Sequence, residues 1–280
     1  MTNTNAAGEN CIAYNNIIKL LQTQIPKMRS LMKSFDELLK EAMEADVQGW
    51  GFDWLDGKAT EERPSWGYAG LIRDRLSQVK SALDLDTGGG EVLNEAPEFP
   101  AYMAATEAWP PNLKKARELL LPRGVNIIDT SITKTLPFND QSFELVTSRH
   151  PVAPDWPEIY RVLKPGGSYL AQHVGPASAF ELIEYFLGPL PKERMHRDPG
   201  KEKEDAEKAG LKVIDLRTAR CRMEFFDISA VVWILRKCVW WVPDFSVDKY
   251  YRKLQAMDQK MRLGHPFVAY SSRHLIEAQR

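Results

Sequence analysis

The sequence has little cysteine, little histidine and almost no net charge, and each shortage removes a class of answer. Its three cysteines, Cys11, Cys221 and Cys238, are too few and too scattered for a disulfide framework. No CxxC pair and no Cys/His group stands at zinc-ligand spacing, so no metal is expected. The thiols read as the reduced cysteines of a cytoplasmic protein. No apolar run approaches the ~20 residues that a membrane-spanning helix requires. The opening residues MTNTNAAGEN lack the basic and apolar regions of a secretory signal. Lys and Arg number 37 against 38 Asp and Glu, for a formal charge of −1. A domain that coats nucleic acid carries a clear positive excess instead.

What is present is an ordinary globular composition with one excess. The 280 residues are 44% hydrophobic and 27% charged, enough for one large domain or a core with an elaborated cap. Tryptophan is the excess, with eight residues, and its bulk belongs where large contact area matters. From Ile12 to about Ala45 the apolar residues recur at spacings of three and four, which predicts helix, divided at Pro26. A turn-rich aromatic stretch, GWGFDWLDGKATEERPSWGY, fills 49–68, and a short helix follows to about Lys80. Strand-like runs then alternate with helical ones: SALDLD, AYMAAT, VNII, FELVTS, GSYLAQHV and LKVIDL. This alternation predicts a mostly parallel sheet with helices on both faces. The tail holds two helices, Ile228–Leu235 and Val247–Met261, and a last strand-like segment, RHLIEA. The charged run KEKEDAEK reads as a solvated helix face, and His173 as an interior residue of its strand.

Two features in register point to a nucleotide-type site. The first strand of the alternation runs straight into Gly88-Gly89-Gly90 and then a helix. Glycines let backbone approach a ligand, and the helix N-terminus offers unpaired N–H donors. The pattern is not the dinucleotide fingerprint, because no third glycine follows at the right offset. The second strand ends in Glu107, where a carboxylate can accept both hydroxyls of a ribose.

These residues, LDLDTGGGE (83–91) and ATEAW (105–109), together with LPFNDQSFELV (136–146) and IYRVLKPGGSYLAQ (159–172), resemble the class I S-adenosylmethionine-dependent methyltransferases. The resemblance spans roughly residues 70–218. It implies a doubly wound, Rossmann-like α/β fold of about seven strands, the last antiparallel. It implies S-adenosylmethionine as cofactor, with Asp84, Asp86, Thr87, Gly88 and Gly90 around its methionine part and Glu107 on its ribose. Ala108 and Trp109 would lie beside the adenine, with Thr130, Ser131 and Ile132 at its edge and Ser148 and Arg149 in the methyl-donor pocket. Trp109 packed on the next helix is the bland alternative. The family usually has glycine where this chain has Asp86, so the backbone there is expected in an ordinary region. Pro165 and Gly166 fit the central positions of a type II turn.

Outside that core lie 1–69, a helical cap with an aromatic loop, and 219–280, cap helices with the closing strand. Six of the eight tryptophans fall in these flanks. Trp50, Trp54 and Trp66, set among Gly, Asp and Pro, are candidate substrate contacts, with Arg63 and Tyr68 beside them; Trp233 reads as core. If the acceptor is a hydroxyl, a base is required, and His150, next to Arg149 at a strand tip, is the candidate. The expected function is methyl transfer to the N, O or S of a small molecule in the cytoplasm, without a membrane and without nucleic acid. An RNA methyltransferase, a non-catalytic cofactor-binding protein and, more remotely, an NAD dehydrogenase are the alternatives.

Overall fold

The computed structural model describes residues 33–49, 51–133 and 135–280. In chain order the elements are α1 (Phe35–Glu44), β1 (Ala59–Glu61), α2 (Tyr68–Leu76), β2 (Ser81–Leu85), α3 (Glu91–Asn94), β3 (Tyr102–Glu107), α4 (Pro110–Leu120) and β4 (Asn126–Asp129). Then follow β5 (Phe143–Arg149), α5 (Trp156–Val162), β6 (Leu163–Val174), α6 (Phe180–Leu187), α7 (Pro199–Lys208), β7 (Lys212–Phe225), α8 (Ile228–Lys237), α9 (Val247–Arg262) and β8 (Phe267–Gln279). They divide into two compact units. The first predicted helix, before Pro26, and Trp50 lie outside the described residues.

The larger unit holds Arg63–Phe180, Leu190–Cys221 and Tyr270–Arg280. Its strands stand in the order β7-β8-β6-β5-β2-β3-β4. β2 is parallel to β3 and β5, β3 to β4, and β5 to β6, while β8 runs antiparallel to β6. This is the expected doubly wound sheet with its closing antiparallel strand. The reason is visible residue by residue, because neighbours along each central strand enter different cores. Ala82, Met103, Ala105, Leu145, Leu170 and Leu275 pack on one face; Leu83, Ala104, Val146, Ala171 and Ile276 pack on the other. Strands apolar on both faces must be covered on both. The chain winds outward from β2 through β3 to β4, then returns to β5 on the other side of β2. That reversal is the topological switch point, beyond whose carboxyl ends such sheets bind ligands.

Gly166 has φ 77°, as the second central position of a type II turn requires. The turn lies within β6, whose pairing with β5 jumps there from Phe143↔Leu163 to Leu145↔Ser168. β7 and β8 are much longer than LKVIDL and RHLIEA. β7 is largely half-buried or exposed and carries charges on both faces, so the hydrophobic pattern hides most of its length.

The smaller unit comprises the chain up to Glu62, Glu181–Pro189 and Arg222–Ala269. This division differs from the linear one, 1–69, 70–218 and 219–280. The smaller unit takes in a helix from the middle of the chain, and the last strand's final residues belong to the larger. α8 is its centre, buried at every position except Arg236, as a helix apolar all round must be. α1 starts with a capping box, Ser34 and Glu37 each bonding the other's backbone N–H. Its C-terminal carbonyls are met by α8: Arg236 bonds the carbonyls of Ala42 and Ala45, and Lys237 those of Val47 and Gly49. β1 pairs antiparallel with Met223–Phe225 at the end of β7.

Trp233 is core, as expected, and its indole N–H donates to the Asp46 carbonyl at 2.9 Å. Trp54, expected as a substrate contact, is taken up by packing. Its ring stacks on Trp233 at 5.4 Å and 15°, and Lys58 Nζ lies 3.8 Å from the ring centre. Loop composition placed it correctly in a turn but not its ring. Trp233→Ala should lower the stability of the smaller unit by about 3–5 kcal/mol, read from urea unfolding; a change under about 1 kcal/mol would show that the stacked pair is not its core.

Candidate functional site

The carboxyl ends of β2 and β3 are joined through one side chain. Glu107, the last residue of β3, accepts from Gly88 N–H at 2.8 Å through Oε2, and from Ala108 and Trp109 N–H at 2.9 and 2.7 Å through Oε1. Thr87 N–H adds a bond to the Thr106 carbonyl at 2.9 Å. The glycine loop is therefore laced to the neighbouring strand. Gly90 is required twice over. Its φ is 84°, and a Cβ there would stand 2.6 Å from Leu120 Cδ1, so the residue serves helix packing as well as the turn. An ionised carboxylate has about four lone-pair sites, and three are occupied at Glu107, so it keeps capacity for a hydroxyl donor.

Asp86 corrects the expectation of ordinary backbone. Its φ is 52°, the left-handed region of the glycine it replaces, which Asp and Asn tolerate better than other side chains. Its N–H meets Thr106 Oγ1 at 3.3 Å, and burial raises its pKa. Asp84, buried on β2, accepts from Thr147 Oγ1 at 2.6 Å. Burial drives its pKa up to about 6 against the opposing bond from Thr147, with the Asp86 charge adding to the rise. Glu107 is raised too, by burial first, and despite its three backbone bonds. Three carboxylates thus crowd the carboxyl ends of β2 and β3, where burial disfavours their negative charge and a cationic ligand would be favoured.

The cleft is lined by Asp86, Thr106, Thr130, Ser148 and Tyr169, together with Thr133, Thr135 and Leu136 and with Pro151, Ala153, Pro154 and Asp155. Ser148 is buried and donates to the Leu85 carbonyl at 3.0 Å. Of the three residues expected at an adenine edge, Thr130 lines the cleft. Ser131 is exposed and Ile132 is 91% exposed, because the Ser131 N–H folds back on Asp129 Oδ1. Thr133 and Thr135, which sequence reasoning missed, take their place. Trp109 is 49% exposed, which removes packing as its role, and Ala108 is exposed beside it.

A second hydrogen-bonded set stands at the tips of β5 and β6. Trp66 Nε1 lies 2.8 Å from Gln172 Oε1, and Gln172 Nε2 lies 3.1 Å from His150 Nε2. An indole only donates, so the Gln172 oxygen must accept and its amide N–H must donate to His150. The His150 Nε2 lone pair is thereby used, and the neutral ring carries its proton on Nδ1. Burial holds the His150 pKa well down, helped by the charges of Arg149, Arg273, His173 and Arg197. A general base needs a free lone pair, so this geometry does not carry the base expected at His150. The His150 φ of 60° and the bond from its N–H to the Gln172 carbonyl at 2.7 Å fix the turn that presents it. Arg149 is exposed at the end of β5. Of the other expected substrate contacts, Trp66 is in the set and Arg63 is exposed. Tyr68 is instead buried as a strut, its hydroxyl donating to the Ser148 carbonyl at 2.6 Å. Gln172 was missed because a strand glutamine carries no motif.

Residues 83–171 match the family described as a methyltransferase domain. No curated protein matches the chain. Among solved structures, a protein of Deinococcus radiodurans R1 of unknown function is 16% identical, covers 87% of this chain and 97% of its own, and has a TM-score of 0.55. A candidate methyltransferase from Bacillus halodurans C-125 is 20% identical with coverages of 75% and 99% and a TM-score of 0.52. The YcgJ protein of Bacillus subtilis is 16% identical, with 76%, 97% and 0.51. Among the described residues no helix is long and apolar enough to cross a membrane.

The raised Asp84 pKa gives a signed prediction. A carboxyl whose folded pKa lies above its unfolded value contributes stability below the unfolded value, and that contribution is lost as pH rises through the folded one. Here the window runs from the ordinary aspartate value of 3.8 to about 6. Asp84→Asn, which lacks this loss, should gain on the wild type by about 3 kcal/mol between about pH 4 and pH 7, measured by urea unfolding. Parallel stability curves would show that Asp84 titrates normally. The matched segment lies within the larger unit, where the doubly wound sheet, the laced glycine loop and the acidic residues coincide, and residues 83–171 are similar to a methyltransferase domain.

Proposed function

We propose that the enzyme methylates a small molecule that carries an oxyanion, with the cofactor lying across the carboxyl ends of β2 and β3. In this reading Glu107 takes the ribose hydroxyls with the accepting capacity that its backbone donors leave. Asp84, Asp86, Thr87, Gly88 and Gly90 surround the cationic methionine end. Ala108, Trp109, Thr130 and Ser131 border the adenine, and Ser148 the methyl-donor end. When bound, the cofactor supplies a methyl group on a cationic sulfonium, and an acid-lined cleft attracts that charge.

One observation carries the acceptor reading: the chain from Trp66 through Gln172 to His150 ends in an imidazole set among guanidinium charges. With Nε2 occupied, the ring offers its Nδ1–H as a donor to an oxygen of the acceptor. Arg149, Arg197 and Arg273 favour that oxygen being negative. The residues bind, orient and exclude water, and orientation alone is worth several kcal/mol of barrier. No protein base is required if the attacking atom is already nucleophilic near neutral pH, as a free amine is. His150 is then a positioning residue. The near-zero net charge supports a small acceptor over RNA.

The test is methyl transfer from isotopically labelled cofactor to a panel of amines and hydroxy compounds, each with and without a carboxylate or phosphate. The anionic members should turn over preferentially. Gln172→Leu should raise the KM for the productive acceptor about tenfold or more, leaving the cofactor KM unchanged and adding no new pKa to the rate profile. Turnover of RNA with a steep salt dependence, or equal use of neutral acceptors, would overturn the reading.

A further inference from the structure

Three residues from distant parts of the sequence meet inside the larger unit, outside the cleft already described. His173 lies on β6 and His274 stands directly opposite it on β8. Glu202 comes from the first turn of α7. His173 Nδ1 is 2.5 Å and His274 Nε2 is 2.8 Å from one and the same oxygen, Glu202 Oε2. The imidazoles are 2% and 0% exposed, and the Glu202 side chain is 17% exposed. Two imidazoles therefore share a single carboxylate oxygen in a nearly dry pocket. Glu202 belongs to the run KEKEDAEK, expected as a solvated face. The rest of the run is largely that, but this residue turns inward.

We propose that His173, Glu202 and His274 bind a divalent transition-metal ion of the zinc class, through Nδ1, a carboxylate oxygen and Nε2. The three ligand atoms lie within 4.8 Å of one another. Bonds of about 2.0–2.1 Å in tetrahedral array place ligand atoms roughly 3.3 Å apart. The two nitrogen–oxygen separations need to open by less than about 1 Å to admit the ion. Two imidazoles with one carboxylate select zinc, cobalt, iron or nickel over magnesium and calcium, which take oxygen ligands.

The surroundings let the His173 ring change from donor to ligand without stranding a proton. When His173 Nδ1 binds a metal, its proton sits on Nε2, 3.0 Å from the Tyr169 hydroxyl. That hydroxyl then accepts instead of donating, and the Ser148 side chain lies beside it as an alternative partner. Such a bond to the far nitrogen is the usual support of a metal-bound imidazole. His274 Nδ1 is buried with no hydrogen-bond partner, so nothing on its far side fixes the tautomer. Glu202, at the partly exposed side, is the point of entry, and three protein ligands leave a fourth position open.

The test uses the full chain, stripped with a chelator and titrated with Co2+ and then Zn2+. One ion per chain should bind, with the intense visible bands of four-coordinate cobalt, and zinc should discharge them. Zinc should also raise the thermal midpoint of the stripped protein. Glu202→Gln and His274→Gln should weaken binding at least about tenfold and abolish the cobalt bands. X-ray absorption on the zinc-loaded wild type should report two imidazoles and an oxygen, and it needs no variant to fold. A six-coordinate cobalt spectrum, no saturable binding, or wild-type affinity in both variants would overturn the proposal and leave the trio as a hydrogen-bonded network.

Discussion

The Glu107 carboxylate is the constraint on which the site depends. It stands at the end of a buried strand and takes three backbone N–H groups, one from the glycine loop and two from the start of α4. Bonds to an ionised acceptor are worth about 1.5–3 kcal/mol each, enough to hold the loop in one shape. The lacing has an electrostatic consequence. The Gly88 N–H is already engaged by Glu107, and the carboxylate of Asp86 lines the cleft beside it. Dinucleotide folds place pyrophosphate on free loop and helix N–H groups; here the acids dominate, and a cationic ligand fits where a pyrophosphate does not. Burial raises the pKa values of Asp84, Asp86 and Glu107 together, and the Asp86 charge adds to the rise at the other two.

Asp86 shows why the chain keeps such a cluster. A left-handed residue at this turn would ordinarily be glycine, and aspartate strains the backbone in return for a carboxylate in the cleft wall. The neighbouring set at β5 and β6 has the opposite sign. There the donor-only indole of Trp66 dictates the amide orientation of Gln172, and through it the tautomer of His150. A cleft negative at β2 and β3 and positive around the tip of β5 can orient a cationic donor and an anionic acceptor head to tail.

Much of this was legible in the sequence because it rests on short-range chemistry. The strands announce themselves by apolar runs, Gly166 by its turn, and Glu107 by its place after an apolar strand and before a proline-led helix. What was hidden depends on the third dimension. The conformation of Asp86 is set by its bonds to β3, not by its residue type. Glu202 is one charge among eight residues of similar look, and only the helix phase against β6 and β8 separates it from its exposed neighbours. Tyr68 and Trp54 sit in the expected segments, yet their rings are spent on packing. β1 and most of β7 are too polar for periodicity to reveal.

The central claim is that the acidic cleft at β2 and β3 holds a cationic nucleoside, and calorimetric titration of the full chain tests it most directly. S-adenosylmethionine should bind at one equivalent to the wild type, Glu107→Ala should lose that binding while remaining folded, and NAD should give no heat of binding to either. Tight binding of NAD without affinity for S-adenosylmethionine, or unchanged S-adenosylmethionine binding by the Glu107→Ala protein, would contradict the account.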